Sequence, residues 1–389
     1  MIYLDNAATT KIDDAVLEAM IPYLNGNYGN AGGLYSLGRE AKKTINESRE
    51  AVASFLSVSP EQIIFTSGGS ESNNMVFEST VNYLNDVQKR RILTSKIEHE
   101  SVLKSVEKIK NNYGFEADYA EPDSCGRISV GEIERLIKDD TGIISVMYVN
   151  NETGVTNYID DIANLCSKKR ILFHTDCVQG GYCKPKLENC DFASFSSHKI
   201  HGPKGIGCLY VKDKSIIKAV IEGGSNQEFG LRGGTENVAA IVGFAKACSL
   251  AECEMKETLN TVSTLKQIFF NELERNLDSD YRDQVTVNGE IMSPGRIINI
   301  TFNGIDGEAM VLMLDGFGIC ASAGSACNSH ESTPSHVLTA MGLTQEKARN
   351  SVRFSFSKFN TIDEVTFAAT RVALCVHILR KMKESTNEQ

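Results

Sequence analysis

Between residues 63 and 211 the chain alternates short, almost continuously apolar runs with amphipathic stretches, and this rhythm constrains the fold more than any other feature. Runs at Ile63–Thr66, Arg91–Thr94, Ile143–Tyr148, Ile171–His174, Phe192–Phe195 and Gly207–Val211 read as buried strands. A strand apolar on both faces must be covered on both faces. Helical patterns lie between most of the runs. The expectation is an α/β fold with a mainly parallel central sheet and helices on either side.

Near residue 255 the texture changes. A long charged helical pattern spans about Val238–Leu277. A strand-like run (Arg296–Phe302), a helix (Gly307–Asp315), a Gly/Ala/Ser-rich loop (Ala321–Ser329), a second strand-like run (Ser351–Ser357) and a final helix follow. This predicts a large domain over residues 21–255 and a smaller α+β C-terminal domain over residues 256–389, which carries the cysteine loop. Residues 1–20 form an N-terminal segment that packs with the small domain or runs across the large one. With 389 residues, 41% of them hydrophobic, the chain has ample material for both cores.

The net charge of −10 and the lack of a basic cluster argue against direct nucleic-acid binding, though a small basic face within the fold stays open. The start, MIYLDNAATT, has no basic segment leading into an apolar one. No apolar run reaches the roughly 18 residues of a membrane helix. The expected location is therefore cytoplasmic, with no membrane partner. Eleven cysteines without a CxxC pair argue against a disulfide framework and against a zinc site, so no metal is expected.

In open parallel sheets, ligands sit at the carboxyl ends of the strands. Five places there carry candidate chemistry. Thr66-Ser67-Gly68-Gly69-Ser70-Glu71 joins a strand to a helix and offers free backbone N–H groups to an anion; an ordinary tight turn is the alternative. Asp176 ends another strand, where its carboxylate suits a protonated ring nitrogen or a helix N-cap. Lys199 follows Ser196-Ser197-His198 and precedes Gly202-Pro203-Lys204-Gly205. Among hydroxyls, histidine and glycines it suits a Schiff-base lysine, whose amine must be desolvated to be neutral. Cys327 sits in Ala321-Ser322-Ala323-Gly324-Ser325-Ala326-Cys327-Asn328-Ser329, a setting for a thiol that swings to a substrate and away, or for a free surface thiol. Arg353, inside an apolar strand, requires an anion: a substrate carboxylate or a structural partner.

Taken together and in this order, these segments resemble the NifS/IscS-like cysteine desulfurases of the class V aminotransferase family. The resemblance extends through Tyr3 to Thr10, Ser67 to Asn73, Glu98-His99, Val149 to Gly154, Asp176 to Gln179, Ser196 to Gly207, Arg232 to Asn237 and Gly324 to Cys327. It implies the type I fold of pyridoxal-phosphate (PLP) transferases and pyridoxal 5'-phosphate as cofactor. Lys199 is then the Schiff-base residue, Asp176 the partner of the ring nitrogen, and Gln179 a contact to the ring hydroxyl. His99 stacks on the ring and assists proton transfer. Gly69, Ser70, Ser196 and His198 hold the phosphate, and Thr235 reaches in from a second subunit of a homodimer. Asn151 lies by cofactor and substrate, and Arg353 meets the substrate carboxylate. The implied reaction converts L-cysteine to L-alanine and leaves a persulfide on Cys327. The sulfur then passes to an acceptor protein for iron–sulfur cluster assembly or tRNA thiolation. In a scaffold complex Cys327 is also placed to ligate a cluster transiently.

The chain departs from the family pattern in places. Gly29-Asn30-Ala31-Gly32-Gly33-Leu34-Tyr35 stands where Gly-Asn-Pro-Ser-Ser-x-His is usual, and Gly69-Ser70-Glu71 stands for Ala-Thr-Glu. One helix follows Arg353, shorter than the tail with which some members engage an iron–sulfur scaffold, so a tRNA-thiolation acceptor is an equal candidate. Rival activities on the same fold are selenocysteine lyase, cysteine-sulfinate desulfinase or another class V transfer; a non-catalytic binding protein is the remote alternative.

Overall fold

The computed structural model describes residues 1–181, 183–291, 295–323 and 334–387, with residues 386 and 387 as backbone alone. Cys327 and most of its loop lie outside the described residues. The strands in chain order are β1 (Ile2–Tyr3), β2 (Ile63–Thr66), β3 (Arg91–Ser95), β4 (Glu116–Ala120), β5 (Thr141–Ser145), β6 (Leu172–Asp176), β7 (Phe192–Ser196), β8 (Gly207–Val211), β9 (Val285–Asn288), β10 (Ile297–Phe302), β11 (Ile319–Cys320), β12 (Ser322–Ala323) and β13 (Ser351–Ser355).

Seven of them form one sheet in the order β2-β8-β7-β6-β5-β3-β4. β8 runs antiparallel to both neighbours and every other pairing is parallel. All residues of β2, β5, β7 and β8 are buried. Side chains alternate between two cores, as the period of two requires. Ile64, Ile143, Phe192 and Leu209 pack with Phe77 and Val106 from helices Gly69–Asp86 and Glu100–Tyr113. Ile63, Ile144, Ala193 and Cys208 pack with Ile45, Ile162 and Phe244 on the opposite face. The expected α/β architecture with a mostly parallel sheet is the one observed.

Some details differ from the sequence expectation. The run expected as strand Ile143–Tyr148 is regular only to Ser145, because the chain then turns toward Asn150; Val146 and Tyr148 still donate to the carbonyls of His174 and Asp176. β4 is a strand the apolar pattern does not announce: it lies at the sheet edge, half exposed, and carries Glu116 and Asp118. Charge on an edge strand blocks pairing with other chains.

A second sheet, β12-β13-β10-β9, is antiparallel. Its core joins Ile298, Ile300, Val352 and Phe354 to Phe269 and Leu273 of helix Val238–Asn276 and to Val365 and Val372 of the last helix. The long helix serves both cores: Ile241, Phe244 and Cys248 pack in the first, Val262, Leu265 and Phe269 in the second. The N-terminal segment also touches both. β1 pairs with β11 and Leu4 enters the second core, while Val16 enters the first. Among the described residues no helix is long and apolar enough to cross a membrane.

Candidate active site

The carboxyl ends of β2, β3, β5, β6 and β7 open on one cleft of about 400 Å³. Its lining includes Gly69, Ser70, His99, Asn151, Asp176, Gln179, Ser196, His198, Lys199 and Arg353. Ten of the twelve expected site residues therefore meet in one place. Thr235 is exposed and is not among the lining residues, and Cys327 lies outside the described residues.

The phosphate-type cradle begins where β2 ends. Gly68 caps the next helix with φ +149° and ψ −174°, a conformation open in practice only to glycine. The helix starts at Gly69, so its first N–H groups have no intrahelical acceptor and face an anion site at the positive end of the dipole. A Cβ on Gly69 would fall 2.4 Å from Val178 Cγ2, so the backbone here approaches the β6 loop as only glycine permits.

Asp176 ends β6. Its Oδ1 accepts from the Val178 N–H at 2.9 Å and its Oδ2 from Asn73 Nδ2 at 2.8 Å. Asn73 stands one turn beyond Gly69 on the same helix, and its Nδ2 also donates to Ser101 Oγ at 2.9 Å. Ser101 in turn meets His99, whose Nδ1 lies 2.8 Å from Ser101 Oγ and accepts from the Ser101 N–H at 3.1 Å. With Nδ1 occupied as an acceptor, Nε2 carries the hydrogen of the neutral ring.

Lys199 sits on the turn after β7. Its Nζ donates to the carbonyls of Ala7 at 2.6 Å and Ala8 at 2.7 Å. Burial pulls its amine down to about 7, with Arg296 and Arg353 adding to the effect while Asp176 and Asp5 oppose it. An amine in that range is partly neutral at ordinary pH and hence nucleophilic. Burial likewise lowers the His198 imidazole to about 4, with Lys199 as the next cause. His198 Nδ1 pairs with Thr9 Oγ1 at 3.1 Å.

Arg353 donates to the Asn151 carbonyl at 2.7 Å and to Asp5 Oδ1 at 2.9 Å. A structural anion is thus present; Arg353 still lines the cleft, and among the described residues its buried Nε has no partner. Among the described residues, Asn73 Oδ1 and Asn151 Oδ1 are also buried without a partner. Polar atoms left in this way mark where a ligand's groups belong.

Sequence reasoning assigned no role to Asn73, Ser101, Glu98, His336 or Arg296. Asn73 had a signal, its spacing of four from Gly69 on one helix. The carboxyl of Glu98 is fully buried and accepts from Ser95 Oγ and the Met147 N–H; burial pushes it up to about 8. The Glu98 carbonyl accepts from His336 Nε2 at 2.9 Å. No spacing in the chain links residues 98 and 336.

The model of the aminotransferase class-V family matches residues 2–367. The chain belongs to that family. Its members depend on pyridoxal 5'-phosphate. The chain is 39% identical to a putative cysteine desulfurase, IscS 1, of Bacillus subtilis, over 96% of this chain and 97% of that one. It superposes on a NifS-like protein with a TM-score of 0.88 at 34% identity, covering 97% of this chain and all of the other. A structure of SspA in complex with cysteine matches with a TM-score of 0.78 at 32% identity, covering 93% of this chain and all of that one. The site fits the family cofactor: a glycine-built anion cradle, a desolvated lysine, a carboxylate held by two donors, and buried polar atoms without partners.

Proposed function

We propose that this chain is a PLP-dependent cysteine desulfurase that takes sulfur from L-cysteine onto Cys327 and passes it to an acceptor protein. The observation that carries the reading is the Lys199 amine, drawn to about 7 inside one cleft with Asp176, His99, the Gly69 cradle and Arg353. The similarity to a protein whose structure contains cysteine supports the substrate.

Lys199 holds the cofactor, Gly69, Ser70, Ser196 and His198 its phosphate, and Asp176, Gln179 and Asn151 its ring. Bound there, the cofactor supplies an electron sink that acidifies the substrate Cα and weakens the Cβ–S bond. Arg353 turns its fork to the substrate carboxylate, with Asn151 beside it. Lys199, neutral in part, takes the Cα proton and can return it. His99, its Nδ1 fixed by Ser101, has Nε2 for proton transfer. Cys327, as thiolate, attacks the substrate sulfur: the S–S bond forms as the Cβ–S bond breaks, and the electron pair left on Cβ takes up a proton. The products are L-alanine and a persulfide on Cys327, with no external oxidant.

The homodimer belongs to the same reading. Leu17, Ile21 and Leu24 lie along one face of helix Asp14–Asn25 and are 42%, 54% and 61% exposed, and Tyr28 and Leu34 beyond them are 73% and 90% exposed. An exposed apolar group of this kind suits a second copy, whose Thr235 would complete the phosphate site. Residues 21–255 are taken as the cofactor-binding unit and 256–389 as the smaller unit with which residues 1–20 pack. The enzyme is taken to act in the cytoplasm.

The test is incubation of the PLP-loaded protein with L-cysteine and a thiol reductant. Alanine and sulfide should appear in equal amounts, and Cys327→Ala should yield neither beyond background. Failure of the unaltered protein to form alanine would sink the proposal.

A further inference from the structure

Arg296 immediately precedes β10 of the second sheet, yet its guanidinium reaches residues of the cleft at the first. The residue is 8% exposed. One guanidinium nitrogen donates to the Lys199 carbonyl at 2.8 Å and the other to Gln179 Oε1 at 2.9 Å. The other end of that amide, Gln179 Nε2, donates to the Ala7 carbonyl at 2.7 Å. Lys199 Nζ reaches the same carbonyl at 2.6 Å. Arg296, Gln179, Ala7 and Lys199 thus form one hydrogen-bonded circuit around the amine.

This circuit leaves the amide a single orientation. Turned through 180°, it would set its NH₂ against the guanidinium and its oxygen against a carbonyl, two repulsions in place of two hydrogen bonds. The charged donor makes the contact to Oε1 the stronger of the two. The same guanidinium grips the main chain that carries Lys199. Its own main chain is tied to the second sheet, since the Arg296 carbonyl accepts from the Phe356 N–H at 2.8 Å.

We infer that Arg296 is a positioning residue of this site, a clamp that fixes the Gln179 amide and the Lys199 main chain against each other across the two sheets. Among the described residues it is not part of the cleft lining, and it acts through those two residues. The inference rests on Lys199 as the cofactor-bearing amine. A cleft that presents Gln179 Nε2 as a fixed donor suits an oxygen acceptor on the ligand. The clamp also has an electrostatic consequence. The Lys199 amine faces the cations Arg296 and Arg353 and the anions Asp176 and Asp5, with the His198 imidazole next to it in the chain. A nearby cation disfavours the protonated form, so removing Arg296 raises the pH at which the proton on Lys199 Nζ is lost.

The experiment uses PLP-loaded holoenzyme of the unaltered chain and of Arg296→Met, Arg296→Lys, Gln179→Ala and the Arg296→Met/Gln179→Ala pair. The visible absorbance band of the bound cofactor is titrated with pH, and cofactor affinity is measured by reconstitution. In Arg296→Met the midpoint should rise by on the order of one pH unit. In Arg296→Lys, which keeps the charge and the fold but loses the fork, the midpoint should stay near that of the unaltered protein while affinity falls. Arg296→Met should cost less affinity in the Gln179→Ala background than alone. An unmoved midpoint in Arg296→Met, or affinity losses that simply add, overturns the clamp. An unaltered chain that takes up no visible band at all refutes the proposed function and this inference with it.

Discussion

Replacing Gly69 by alanine puts a methyl group where Val178 already stands. An ideal Cβ on Gly69 falls 2.4 Å from Val178 Cγ2 and 3.7 Å from Val178 Cβ. Carbon atoms in contact rest about 3.5–4.0 Å apart, so one group must retreat by roughly 1 Å. Val178 is β-branched and stiff at χ1, and its own N–H is held by Asp176. The helix start at Gly69 is the other part able to move, and it carries the anion-binding N–H groups. Overpacking of this kind costs about 1–3 kcal/mol. Carried by the cradle, that becomes a rise of about 5- to 150-fold in the PLP dissociation constant. The assay is absorbance titration of apoprotein with PLP. Val178→Ala removes the clashing carbon, so Gly69→Ala/Val178→Ala should recover most of the loss. Gly69→Ala binding as tightly as the unaltered protein, or a double variant no tighter than Gly69→Ala, would refute the steric account.

Three further outcomes follow from the same geometry. Burial raises the Glu98 carboxyl from its ordinary 4.5 to about 8, so between those values the native state holds a proton that the unfolded state lacks. Stability should therefore fall as pH rises through that window, and urea unfolding of Glu98→Gln apoprotein at several pH values should lack this slope. The Lys199 amine moves the other way, from 10.5 to about 7. There the unfolded chain holds the extra proton, so apoprotein stability should rise with pH between about 7 and 10.5, and Lys199→Met should flatten that rise. If Arg353 meets the substrate carboxylate as proposed, Arg353→Met should raise KM for L-cysteine by about 10- to 100-fold with a smaller change in kcat, measured as alanine formation.

Much of the fold is legible in the chain because buried parallel strands are apolar on both faces. β2, β3, β7 and β8 lie where their apolar runs stand. β4 and β9 do not announce themselves, since each is a partly exposed edge strand whose residues owe their conformation to pairing. The cleft residues are legible for another reason. Asp176, Lys199, His99 and the Gly68-Gly69 junction are polar interruptions directly after strands, and a parallel sheet collects such interruptions at one edge.

The sequence by itself determined the family, the parallel sheet, the cofactor and most of the polar groups that line the cleft, because residue type and order along strand ends carry that information. Tertiary structure alone decided which of those groups bear on one another. The Asp176–Asn73–Ser101 chain, the Arg353–Asp5 pair, the carbonyls of Ala7 and Ala8 at the Lys199 amine, and the reach of Arg296 from the second sheet join residues tens to hundreds of positions apart. The Lys199 amine reaches about 7 for the same reason: burial and the charges around it arise only when both sheets and the N-terminal segment close on one cleft.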